Sequence, residues 1–144
     1  MRGGRLKTMT FELTKQVERR LTKDEVAWLT TVTPQGAPAP RPVWFVWDGS
    51  AIIIYSLNNA ARLRNIERNP HVTLHFNSND GGGDIVVISG TAERLHDAPP
   101  PSKFPGLLDK YAPRMQAMGE SAQWYDDHYG VGLRVTPERS WGFE

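Results

Sequence analysis

Apolar residues recur near helical spacing at Phe11, Leu13, Val17 and Leu21, which predicts a short amphipathic helix from Phe11 to about Lys23. The period then changes. Residues 26–33 are rich in β-branched and aromatic side chains and predict a strand. Pro34-Gln35-Gly36 predicts a turn, and Val43-Trp44-Phe45-Val46-Trp47 the next strand. Asp48-Gly49 is a tight-hairpin signal leading into a strand over 51–55. Residues 60–69 predict one short helix, closed by Asn69-Pro70, and 71–76 a further strand. After a loop at 79–83, a long strand is expected over 85–95, bent at Gly90. Prolines 99–101 break the chain before a helical stretch from about Pro105 to His128, and two strands near 131–136 and 139–143 close it. The pattern predicts an α+β barrel of six to seven mostly antiparallel strands with short flanking helices. Residues 1–9 are expected to form a flexible extension, and 10–144 a single domain.

Alternation between apolar and polar residues marks an antiparallel sheet with one wet face. Residues 43–47 and 51–55 do not alternate, so both of their faces need cover. One face fills the barrel. For the other, a homodimer interface is the economical expectation, because exposing it would leave a sizeable apolar patch. The alternative cover is the helical segment 105–128.

Composition narrows the function classes. The chain has 144 residues, 39% hydrophobic and 23% charged, which suits one globular domain. Its formal net charge of +1 argues against bulk binding of nucleic acid. No apolar run is long enough to span a membrane, and the basic first residues lack the apolar core of a secretory signal. With no cysteine there is no disulfide framework or thiolate site, and a cytoplasmic address is expected. Residues 1–23 hold seven Lys/Arg against Glu12 and Glu18, a run best read as a solvated face.

The strongest chemical signal lies after the strand at 51–55. Ser56-Leu57-Asn58-Asn59 offers capping residues, and the following helix places Arg62 and Arg64 in its opening turn with no acid before Glu67. A helix start exposes free N–H groups and about half a positive charge, so cations there are unfavourable unless an anion is bound. Guanidinium groups also match phosphate oxygens geometrically. A phosphate site at Arg62 and Arg64 is one reading; pairing of these arginines with Asp84 or Glu93 is the other.

The succession Trp28-Leu29-Thr30-Thr31-Val32, Gly36-Ala37-Pro38 and Pro42-Val43-Trp44-Phe45-Val46 resembles the pyridoxamine 5'-phosphate oxidase-related split β-barrels. Arg62-Leu63-Arg64-Asn65-Ile66, Asn69-Pro70 and the run from Gly83 to Glu93 resemble the actinobacterial branch that uses the deazaflavin coenzyme F-420. The resemblance covers nearly the whole chain after residue 10. It implies a split β-barrel, an F-420-dependent oxidoreductase acting on a small-molecule substrate, FMN as the alternative cofactor, and a homodimer. It implies that Ser56, Leu57, Asn58, Arg62 and Arg64 hold the cofactor phosphate and that Val43-Trp44 line its ring. Gly82, Gly83, Asp84 and Trp141 would come from the second subunit. The C-terminal substrate-binding segment of typical pyridoxamine phosphate oxidases is not found, which points away from vitamin B6 oxidation.

Other constellations are weaker. No nucleophile elbow, P-loop or His-Glu-x-x-His pattern occurs, and a cofactor-borne reaction needs none. Trp44 and Trp47, three apart on one expected strand, should point oppositely, with Trp47 in the core or an interface. His71 and His75 share a strand face but lack a carboxylate partner for a metal. The reading of a different class is a non-catalytic protein that stores a flavin, a deazaflavin or haem, with His71 or His75 as the candidate haem ligand. The segment from Trp124 to Tyr129 reads as helix-end packing or a pocket rim, and Met115 and Met118 as core filling.

Overall fold

Thr14 sets where the chain first becomes helical: its hydroxyl accepts the Val17 N–H at 3.2 Å. The computed structural model describes residues 9–143. In order they form β1 (Met9–Thr10), α1 (Lys15–Lys23), β2 (Ala27–Val32), β3 (Pro38–Val43), β4 (Val46–Trp47) and β5 (Ile52–Ser56). There follow α2 (Ala61–Arg68), β6 (His71–His75), β7 (Ile85–Leu95), a 3₁₀ turn (Pro101–Lys103), α3 (Leu107–Met118), α4 (Ala122–His128) and β8 (Val131–Phe143). The strands make one antiparallel sheet in the order β3-β2-β6-β7-β8-β5-β4, with β1 added beside β8. Curled on itself, this is the expected α+β split barrel. Residues 1–8 of the expected extension lie outside the described residues, while Met9 belongs to β1.

The β7 and α2 expectations hold nearly to the residue; others shift for identifiable reasons. The strand expected over 43–47 is two. Pro38–Val43 pairs along β2, from Ala27 opposite Val43 to Val32 opposite Pro38, and the chain leaves the sheet at Trp44 and Phe45 before β4. The two closing strands are one, interrupted where Ser89 faces Arg139 and Gly90 faces Pro137, so that Glu138 is passed over. Gly90 is required at this bulge: a Cβ there would lie 2.1 Å from the Thr136 carbonyl oxygen. The helical stretch 105–128 splits because Gly119 ends α3 in the left-handed region (φ 77°) and Ser121 caps α4.

Inside the barrel, Leu29, Ile52, Ile54, Leu74, Ile88 and Leu133 form the main core. The second face of β5 is also buried, and here the expectation of a dimer cover is corrected. Ile53 and Tyr55 pack against Leu107, Tyr111 and Met115 of α3 and Tyr125 of α4, so helices of the same chain supply the cover. Met118 departs from the core expectation too: at the last turn of α3 it is 50% exposed. No helix among the described residues is long and apolar enough to cross a membrane.

Candidate functional site

A cavity of about 520 Å³ opens where the ends of β3 and β5, the start of α2, and helices α3 and α4 meet. Its size suits a small organic ligand. Aromatic side chains dominate its wall, from Trp44, Tyr55, Trp124, Tyr125 and Tyr129; among the described residues, Arg62 and Arg114 supply its only charges.

Trp44 is fixed by packing. Its ring lies flat on Tyr111, with 4.5 Å between centroids and 4° between planes, and meets the edge of Tyr125 at 5.6 Å. Tyr111 is itself immobilised. Its hydroxyl accepts the Phe45 N–H at 2.9 Å and donates to the Glu25 carbonyl at 2.7 Å. Burial pushes the Tyr111 phenol above its usual range, so it remains a neutral donor. Trp47 packs elsewhere, onto Phe11 and the barrel core, although it and Trp44 do not share the one strand expected.

Arg62 is half-buried, and burial holds its pKa below the usual guanidinium value. Tyr129 acts in the opposite direction, while the nearby Arg41 lowers it further. Among the described residues neither Arg62 nor Arg64 forms an ion pair. Their alternative partners are engaged elsewhere: Asp84 with Arg19 at 2.7 Å and Arg20 at 3.1 Å, and Glu93 with Arg134 at 3.1 Å. The helix start adds to the imbalance. Ala60, its N-cap, offers no capping side chain, and no acid lies in the first turn. An uncompensated guanidinium beside uncapped amides is a place for an anion.

Of the residues expected at the site, the cavity brings together Trp44, Leu57 and Arg62. The rest lie outside its lining. Ser56 is fully buried, its hydroxyl donating to the Leu57 carbonyl at 3.1 Å. Asn58 is a staple, donating to the Asp127 carbonyl at 3.0 Å and accepting the Gly130 N–H at 2.7 Å. Arg64 points to solvent. Gly82, Gly83 and Asp84 form the turn before β7, where Asp84 is bound by Gln16, Arg19 and Arg20; these partners, Gln16 first, keep its pKa low. Trp141 lies in β8 opposite Val87, beside a small cleft near α1. Sequence reasoning missed Arg114. The aromatic density of 124–129 did mark α4, which both packs and lines: Tyr125 is buried, while Trp124 and Tyr129 face the cavity.

The sheet order, the curl of the barrel and the cavity at its flank define a split-barrel protein. The chain belongs to the pyridoxamine 5'-phosphate oxidase family, matched over residues 13–142. No curated protein sequence matches it. Among solved structures it is similar to an F420 reductase, with 26% identity and a TM-score of 0.67 over 85% of this chain and 94% of that one. It is also similar in fold to a FAD-binding protein from Mesorhizobium loti (18% identity, TM-score 0.64, covering 93% and 95%). HutZ, the heme storage protein from Vibrio cholerae, is similar at 16% identity and TM-score 0.62, covering 92% and 95%.

Proposed function

We propose that this chain is an oxidoreductase that binds coenzyme F-420 in the aromatic cavity and reduces an unsaturated small organic substrate, working as a homodimer. The carrying observation is Arg62, a half-buried guanidinium with no carboxylate among the described residues, aimed into a cavity walled by rings. The residues fit such a group. Arg62 and the free amides at the start of α2 hold a phosphate; Trp44, rigid on Tyr111, offers a flat wall for a tricyclic ring. When bound, the deazaflavin supplies the hydride chemistry. The chain's own part is to orient the ring, exclude water with Trp124, Tyr125 and Tyr129, and lend positive charge.

FMN is the alternative cofactor, since it too carries a phosphate and a tricyclic ring. A haem-storage role is disfavoured because no histidine lines the cavity among the described residues, and His75 stacks on Trp28 instead. The homodimer is supported by the outer sheet face. Pro42, Trp28, His75, Val87 and Trp141 stand opposite one another in register across five strands, and Pro42 also lines the cavity. A partner on that face would reach the site, as the resemblance implies for Trp141.

The test is fluorescence titration of the protein with F-420 and with FMN. Arg62→Ala should weaken binding of the cognate cofactor by about 1.5–3 kcal/mol, the range for a charge-assisted bond. Arg64→Ala, solvent-facing, should change it far less. Equal affinity of wild type and Arg62→Ala refutes the site.

A further inference from the structure

We infer that a second cavity, on the other flank of α2, is a binding site for an amphipathic carboxylate, whose apolar body lies against the core and whose head pairs with Arg94. The inference is independent of the cofactor reading above.

The space follows from the residues of β7. Its core-side positions run Val86, Ile88, Gly90, Ala92, Arg94, so apolar volume falls away towards the end of the strand. Over this thin stretch α2 lays Leu63 and Ile66, three apart on one helix face. What remains is a cavity of about 520 Å³, with Leu133 of β8 completing its apolar wall. That volume lies within the range of small-ligand sites. Its frame is tied at two places. The Asn65 amide donates to the Thr31 hydroxyl at 3.0 Å, and just beyond α2 the Ala92 N–H donates to the Pro70 carbonyl at 2.9 Å. Walls held in this way are preformed, so a ligand need not order them. No described residue lines both this cavity and the aromatic one, although α2 borders each.

Register fixes the polar end. Leu133 stands opposite Ile54 on β5 and Arg94 on β7, and both apolar residues are buried in the barrel core. Cross-strand neighbours share a face, so Arg94 starts from the core side of the sheet and carries its charge out at the cavity mouth. Among the described residues its guanidinium has no hydrogen bond and no ion pair. The adjacent acid, Glu93, is engaged with Arg134 at 3.1 Å. Two basic side chains, Arg94 and His96, then face one uncommitted acid, Glu67, around the border. An apolar wall ending in a free guanidinium selects an anion with an apolar body. A carboxylate meets the guanidinium fork with two parallel hydrogen bonds, and its tail covers Leu63, Ile66, Ala92 and Leu133.

The experiment titrates the full chain, followed by amide NMR, with phenylbutyrate and separately with phenylbutylamine, two probes that share one apolar body. Phenylbutyrate should shift the resonances of Leu63, Ala92 and Leu133, and phenylbutylamine should bind at least about tenfold more weakly. Arg94→Gln should weaken phenylbutyrate binding by about tenfold or more, Arg94→Lys should retain part of the affinity, and Glu67→Gln should not weaken it. Arg94 is exposed, and the spectrum of each variant without ligand shows whether its fold is intact. Equal affinity for acid and amine, or equal binding by wild type and Arg94→Gln, overturns the inference. Shifts confined to Trp44 and Tyr129 of the aromatic cavity overturn it too, as does a wild type that binds neither probe at millimolar concentration.

Discussion

Tyr111→Phe separates the frame of the site from the site itself. The substitution deletes one oxygen and keeps the ring. It orphans the Phe45 N–H, which belongs to a residue only 1% exposed, and the Glu25 carbonyl. A buried donor without a partner costs about 1–3 kcal/mol, and the lost bond to the partly buried carbonyl about 0.5–1.5, so destabilisation of about 2–4 kcal/mol is expected. With a urea slope of about 2 kcal/mol per molar, the unfolding midpoint should fall by about 1–2 M. The ring of Phe still stacks on Trp44, so at a temperature where the variant stays folded its cofactor affinity should remain within about threefold of wild type. Urea unfolding followed by tryptophan fluorescence, with cofactor titration in the absence of denaturant, gives both quantities. A midpoint unchanged from wild type would refute the assignment of the hydroxyl as a structural clamp. An unchanged midpoint together with lost binding would move Tyr111 from the frame into the site.

Trp44→Leu should weaken cofactor binding by about 1–2 kcal/mol through loss of an aromatic wall, read by the same titration. Stability should rise as pH climbs from about 8 towards 10, because burial lowers the Lys110 pKa to about 8 against the partial opposition of Asp24 and Glu25. In that window the unfolded chain holds a proton that the folded one has shed. Above pH 10 it should fall again as the unfolded tyrosines ionise, since burial raises Tyr55 to about 12 and pushes Tyr111 and Tyr125 up as well. Thermal melts across pH 7–11 check both limbs, and Lys110→Met should erase the first. Light scattering should give twice the 16.2 kDa chain mass, with Trp28→Glu shifting it to monomer and weakening cofactor binding; a monomeric wild type at micromolar concentration refutes the sheet-face interface.

Local signals were legible where one physical rule acted alone. The apolar run of β7 and the Asn69-Pro70 stop after α2 needed no knowledge of the rest of the chain. Prolines 38, 40 and 42 concealed β3, because proline argues against a strand unless the strand is an edge, and edge position is a property of the whole sheet. Gly119 and Ser121 did carry the break between α3 and α4, but the apolar content around them masked it. At the site, Arg62 was legible from the lack of an acid in its helix turn. Arg114 was not, since only tertiary packing brings α3 to the wall of that cavity. Asn58 shows the converse: a polar residue at a promising position whose hydrogen bonds are consumed locally.

The prolines of β3 bear on how the protein behaves when concentrated. A strand with proline at every second position offers amide donors along one side only, and β2 occupies that side. The far margin of the sheet therefore has no N–H row with which to template another chain. At the opposite margin β4 is just two residues long, too short to recruit a passing strand. Strand addition is thus disfavoured at these two ends of the sheet order, and a partner meeting the protein there would have to dock by side chains rather than extend the sheet.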